Sequence, residues 1–271
     1  MALLAGLLAV VVLSTLVFLK DGAAAPLAPA APPRYLALGD SYTIGEGVAP
    51  AARWPAQLAA LLTRHGIRFA PPEIVARTGW TTADLSAALD REPPRGPFAL
   101  VSLQIGVNDQ FQGGQADAAY RRRFRRLLER AIGWAGGEPG RVLVLSIPDW
   151  GVTPFGAGRG GSAADGAADI GADIGAEIDR FNAVNREETA RVRARFVDIT
   201  PESRQAAADR SFFAPDGLHP SAKQYAAWAG LAFDPAQAAL GTVPMKVGGL
   251  TPMAPAASPP RGSADRRRAG A

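Results

Sequence analysis

The sequence predicts an α/β fold, a three-layer αβα sandwich on a five-stranded parallel sheet. Three observations predict it. Short apolar runs alternate with segments of helical period between Arg34 and Phe233. One run, Phe98–Ile105, is apolar almost throughout, as in a strand buried on both faces. Four short polar segments stand where a strand ends or a helix begins, the edge at which open α/β sheets bind ligands.

The chain opens with an apolar run, Ala2–Leu19, about 27 Å long as a helix at 1.5 Å per residue, enough to cross a bilayer core. Residues 1–21 read as a membrane anchor or as a secretory signal peptide. Ala23-Ala24-Ala25 and Ala28-Pro29-Ala30 offer small-residue cleavage patterns, but no Lys or Arg precedes the run. The expected location is therefore membrane-anchored or exported. Orientation stays open, with Lys20 alone favouring a cytoplasmic C-terminal side. Residues 22–33 are an Ala/Pro linker.

The domain then runs from 34 to 233. Arg34–Leu38 is the first strand, halted at Gly39-Asp40-Ser41. A helix over about Ala52–His65 presents Trp54, Leu58, Leu61 and Leu62 on one face. A strand near Glu73–Ala76 and a helix over Thr82–Asp90 follow, then Phe98–Ile105. The next helix, about Gln115–Ala135, carries a stripe of Tyr120, Phe124, Leu127, Leu128, Ala131 and Ile132. Its arginines at 121, 122, 123, 125 and 126 fall off that stripe and read as a solvated face. Arg141–Ile147 is the fourth strand. Gly156–Gly166 reads as a flexible insertion; Gly156, Gly158 and Gly161 fit GxGxxG by letter, but no strand directly precedes them, which excludes a dinucleotide site. Ile170, Ile174, Ile178 and Phe181 predict a helix over Ala168–Arg193, and Arg195–Ile199 the fifth strand. Ser221–Phe233 is the last helix, with Pro220 at its entry. From Asp234 on, Pro, Gly, Ala and Arg without periodicity predict a disordered basic tail.

Composition narrows the chemistry. The 271 residues include no cysteine, which excludes disulfides, thiolate metal sites and a cysteine nucleophile. The two histidines, His65 and His219, show no zinc-hydrolase spacing, and no metal or organic cofactor is expected. The isoelectric point near 9.8 invites a nucleic-acid reading. However, the residues outside 34–233 hold six basic and three acidic groups, most of the net charge of +4, which disfavours a polyanion-binding core.

The four polar segments are Gly39-Asp40-Ser41, Thr78-Gly79-Trp80, Gly106-Val107-Asn108-Asp109 and Asp216-Gly217-Leu218-His219. Parallel strands leave a sheet at one edge, so the first three are expected to be neighbours. This pattern resembles the SGNH, or GDSL, hydrolase family, whose four blocks contribute Ser, Gly, Asn and His in that order. Gly39-Asp40-Ser41-Tyr42-Thr43 and Ile147-Pro148-Asp149-Trp150-Gly151 add similarity to its bacterial esterase and lysophospholipase-like branch. The resemblance implies a flavodoxin-like sheet of the SGNH type and a serine esterase. Ser41 would be the nucleophile and His219 the base, and the oxyanion donors would be the Ser41 and Gly79 backbone N–H groups and the Asn108 amide.

The residue types suit those roles. A serine hydroxyl needs a base within hydrogen-bond reach, and an imidazole titrates near the working pH. Asp216, three residues before His219, can accept the other ring N–H and complete a triad. Asp40 and Asp109 read instead as ties to backbone N–H groups. His65 reads as a surface residue meeting helix-end carbonyls. Trp80, Trp150 and Phe155 line an acyl pocket or pack the core. The α/β-hydrolase elbow GxSxG is absent, since Thr43 stands at its second glycine. The implied substrates are carboxylic esters: acyl esters, lysophospholipids, thioesters or acetylated sugars. Two rivals remain, a silent glycan- or lipid-binding module and a flavin mononucleotide carrier on a related sheet, though no Ser/Thr-rich phosphate loop follows the first strand.

Overall fold

The structure is a computed structural model and describes residues 32–158 and 170–241. The apolar run, nearly all of the linker, the glycine-rich stretch past residue 158 and the tail past residue 241 lie outside the described residues. Among the described residues no helix is long and apolar enough to cross a membrane.

Five parallel strands form one sheet in the order β2-β1-β3-β4-β5. They are β1 (Tyr35–Gly39), β2 (Glu73–Ala76), β3 (Leu100–Gln104), β4 (Val142–Leu145) and β5 (Arg195–Val197). Each lies on its predicted run, β1 reaching one residue further to Gly39. The three central strands are buried along their whole length, as strands covered on both faces must be. After β2 the order of strand addition reverses, which puts the switch point between β1 and β3.

The longer helices are α2 (Trp54–Arg64), α3 (Thr82–Arg91), α5 (Ala118–Trp134), α7 (Ile170–Arg191) and α9 (Ala222–Ala239). Among them stand short ones: α1 (Ser41–Ile44), α4 (Val107–Phe111), α6 (Pro154–Ala157) and α8 (Thr200–Gln205). α2 packs against α9, while α5 packs against α3, α7 and β3. The contacts follow the apolar stripes. Trp54, Leu58 and Leu62 are buried on α2, Tyr120, Phe124, Leu127 and Leu128 on α5, and Ile174, Ile178 and Phe181 on α7. Each fully buried aliphatic or aromatic side chain contributes roughly 1.5–3 kcal/mol. A capping box between Thr81 and Asp84 starts α3.

Two expectations need correction. The last helix does not stop at Phe233 but continues through Pro235 to Ala239, so the domain extends past the predicted boundary. Ala232, Ala236 and Ala239 keep one face buried, and that packing outweighs the hydrogen bond that Pro235 removes. The arginines of α5 are not simply a solvated face. Arg125 makes two hydrogen bonds to the carboxylate of Glu188 on α7, at 2.7 and 2.9 Å, and Arg121 and Arg191 add one each at 3.0 Å. Arg123 reaches Thr82 and Asp109.

The Glu188 side chain is 2% exposed. The bonds from Arg125 first, then from Arg121 and Arg191, outweigh burial and hold its pKa down at about 2. The stability it contributes is therefore complete above the ordinary carboxylate range and is lost as pH falls through about 2. Glu188→Gln is expected to lose about 3 kcal/mol at pH 7 in urea unfolding, because the charge-assisted bonds between one buried carboxylate and three arginines are lost. The gap to wild type should narrow as pH falls from about 4.5 towards 2.

Candidate active site

Strand register assembles the first three polar segments. Gly39 at the end of β1 pairs with Ala76 of β2 on one side and Gln104 of β3 on the other. Ser41, Gly79 and Asn108 follow two, three and four residues beyond these partners. Side chains then tie the loops together. Thr78 donates to Glu46, joining the second loop to the turn after α1. Asn108 Nδ2 donates to the Trp80 carbonyl at 3.0 Å. Asp109 accepts from the Thr82 N–H at 2.8 Å and from the Thr82 hydroxyl at 2.6 Å.

Ser41 is buried at the first position of α1. Its N–H lies in the first turn, where no intrahelical acceptor exists. Asp40 caps this turn: Oδ1 accepts from the Tyr42 N–H at 3.0 Å. Only glycine fits at 39, since a Cβ there would stand 2.1 Å from Thr43 Oγ1 and 2.4 Å from the Gln104 carbonyl oxygen. Gly79 has φ +81°, left-handed backbone that glycine adopts without strain, and the space where its Cβ would project is open.

The fourth segment comes from a loop closed on itself. Ser221 donates its N–H to the Phe212 carbonyl at 2.8 Å, and Ala214 donates to the His219 carbonyl at 2.7 Å. Asp216 Oδ1 accepts from the N–H groups of Leu218 and His219, both at 2.9 Å, and Oδ2 faces His219 Nδ1 at 2.6 Å. Burial raises the Asp216 pKa, but the His219 ring and the two backbone N–H groups outweigh it and hold the carboxyl below its usual range. An ionised Asp216 makes Nδ1 the donor, so the lone pair of the neutral ring sits on Nε2. The ring of His219 meets that of Tyr42, next to Ser41, edge to face with centroids 5.7 Å apart.

The structure thus brings Ser41, Gly79 and Asn108 to one sheet edge and sets the Asp216–His219 pair against α1. In this conformation Ser41 Oγ makes no hydrogen bond to His219; such contacts often tighten only when substrate binds. Asp40 and Asp109 make the backbone ties expected of them. His65 Nδ1 meets the Leu61 carbonyl at 2.9 Å, also as expected. Trp150 is buried and donates to Gln110 on α4, whereas Trp80 is partly buried against the core. Phe155 on α6 is 37% exposed. Sequence reasoning missed two aromatic residues. Phe111, at the end of α4, is 44% exposed and lies 5.3 Å from Trp150 and 6.5 Å from Phe155 between ring centroids. Tyr42 was passed over as part of the first block. Among the described residues no group of three or more His, Cys, Asp or Glu could hold a metal ion.

Asp40 is a buried carboxyl whose charged form is poorly compensated. Its side chain is fully buried, Oδ2 has no hydrogen-bond partner, and Asp109 stands nearby. Burial, reinforced by Asp109 and opposed by the Tyr42 N–H, pushes its pKa up to about 8. A carboxyl raised in the fold costs nothing while both states are protonated. Its stability is lost as pH rises from the ordinary carboxylate range to about 8. Asp40→Asn, which keeps an acceptor for Tyr42, should therefore gain stability relative to wild type between pH 4 and 8. Urea unfolding across that range checks this, and a constant difference would mean that Asp40 is charged in the fold.

The comparisons agree with this geometry. No curated protein sequence matches the chain. Solved structures do match. One is that of TesA, at 20% identity and a TM-score of 0.54, covering 76% of this chain and 99% of that one. Another is the psychrotrophic esterase EstA from Pseudoalteromonas sp., inhibited by monoethylphosphonate, at 15% identity and a TM-score of 0.54, covering 78% of this chain and 100% of that one. A third is a mutant of Axe2, an acetyl-xylooligosaccharide esterase from Geobacillus, at 18% identity and a TM-score of 0.53, covering 78% and 95%. At these identities the likeness establishes the fold. The model of the GDSL-like lipase/acylhydrolase family matches residues 37–227, most of the chain and all four polar segments. The chain belongs to the GDSL-like lipase/acylhydrolase family.

Proposed function

We propose that the chain hydrolyses carboxylic esters through an acyl-enzyme on Ser41. One observation carries the reading: the 2.6 Å contact between His219 Nδ1 and Asp216, which leaves Nε2 as the basic nitrogen of a ring packed against Tyr42, the residue that follows Ser41. Ser41 Oγ attacks the ester carbonyl carbon while His219 Nε2 takes its proton. Asp216 steadies the imidazolium that forms. The new oxyanion accepts from the N–H groups of Ser41 and Gly79 and from the Asn108 amide. Each such donor contributes about 3–4 kcal/mol in the transition state. Collapse breaks the bond to the leaving oxygen, which takes the proton from His219 and departs as the alcohol. Water then attacks the acyl-serine with the same base, releasing the acid and restoring Ser41.

For the substrate, the half-exposed rings of Phe111 and Phe155 support an apolar acyl group. Phe111 shares α4 with Asn108, and Phe155 donates its backbone N–H to the Gly217 carbonyl, inside the Asp216–His219 segment. An acyl chain on these rings is the preferred reading over acetylated sugars and thioesters, which the same groups could cleave. The apolar segment at residues 2–19 is proposed to bring the domain to a membrane or into the export path.

Ser41→Ala is expected to lower p-nitrophenyl ester turnover at least about 10³-fold without changing the unfolding midpoint. A fluorophosphonate probe should label the wild type and not this variant; an unlabelled wild type would favour a binding module. Phe111→Ala with Phe155→Ala is expected to reduce kcat/KM for the octanoate ester about tenfold and to leave the acetate ester within about twofold. Equal losses on both esters would remove the acyl chain from these rings.

A further inference from the structure

We infer that Tyr42 is a positioning residue for His219: its ring sets the plane of the imidazole, while Asp216 sets its Nδ1. The inference rests on the proposed role of His219 as base and adds a group that the reaction scheme does not contain.

The Cβ–Cγ tether and the hydrogen bond at Nδ1 together place the imidazole, but small coupled turns about its two side-chain torsions can still rock the ring within the angular tolerance of that bond. Nε2 must nonetheless point along one line to take a proton from a serine. A second contact on the ring is needed, and Tyr42 makes it. The two rings meet edge to face, at 5.7 Å between centroids and 60° between planes, the arrangement that aromatic quadrupoles favour. Tyr42 is itself held from both sides. Its N–H is tied to Asp40, and its buried ring meets Trp228 edge to face at 6.0 Å. Trp228 is fixed in turn by Tyr225 at 5.3 Å and by its indole N–H to Glu202 at 2.8 Å. The imidazole thus meets a ring that cannot swing away. That ring belongs to the residue after Ser41, so one short helix carries the hydroxyl and the surface that orients its base.

The contact predicts a split between ring and hydroxyl. Tyr42→Leu should lower kcat for p-nitrophenyl acetate about 3- to 10-fold with KM unchanged, the range that an aromatic pair supports. Tyr42→Phe should restore kcat to within about twofold of wild type. Phe124→Leu removes packing from a buried aromatic residue of α5, outside the Tyr42–Trp228–Tyr225 run, and serves as the control for general loosening. The inference is overturned if Tyr42→Leu leaves kcat unchanged, or if Phe124→Leu lowers kcat as much at a similar loss of Tm.

A second readout needs no turnover. The chain has two histidines, so the Nδ1–H proton resonance of His219 can be assigned by NMR with His65→Gln as reference. It should stay sharp in wild type and Tyr42→Phe and broaden in Tyr42→Leu. An unaltered resonance in Tyr42→Leu overturns the inference. Should the wild type cleave no ester, the hydrolase reading fails and this resonance alone decides whether Tyr42 orients the imidazole.

Discussion

The alignment of the ends of β2, β1 and β3 is the constraint on which the site depends. Gly39, Ala76 and Gln104 lie side by side, so the loops leaving them start from one line. The sheet supplies this registry at no cost to the site, because the ladder hydrogen bonds exist to satisfy the backbone. Close approach is then a matter of small residues and short ties. Glycine at 39 lets α1 turn immediately against β3, and the Glu46–Thr78, Asn108–Trp80 and Asp109–Thr82 contacts lock the three loops to one another. A rigid first turn matters because backbone N–H groups cannot be re-aimed by rotating a side chain.

Two buried acids in the fold are treated in opposite ways. Glu188 is surrounded by arginines and adds to stability at neutral pH. Asp40 has one backbone N–H donor, a nearby like charge and an oxygen with no partner. The first pattern ties α5 to α7. The second precedes Ser41, where the turn needs an acceptor for the Tyr42 N–H. Destabilised groups of this kind persist where the surroundings over-determine them, and they gather at sites of chemistry.

Much of this was legible in the sequence because it depends on local pattern. The strands announced themselves as apolar runs, and three of the four polar segments fell at their ends because parallel topology brings those ends to one edge. The Asp216–His219 pair was readable for the same reason: three residues of loop suffice to close it. What escaped had longer range or shorter length. α1, α4, α6 and α8 span one or two turns, too few for a helical period to show. Helix α9 passed through Pro235 because buried alanines beyond it outweighed a local stop signal. Arg121 and Arg125 were seen to lie off the apolar stripe, but their partner Glu188 stands on another helix more than sixty residues away. Tyr42 and His219 are separated by most of the domain, and no spacing rule relates two rings so far apart.

The loop from Phe212 to Ser221 is bonded at its neck: Phe213 and Pro220 form an isolated antiparallel bridge, flanked by the bonds from Ser221 to Phe212 and from Ala214 to His219. A segment cinched in this way hands little torsion inward from whatever precedes it. The stretch between α8, whose Glu202 holds Trp228, and the neck can therefore lengthen, shorten or trade sequence over evolutionary time while the imidazole keeps its bearing. Diversity among descendants of this chain would be expected to accumulate there, outside the drawstring, sooner than within it.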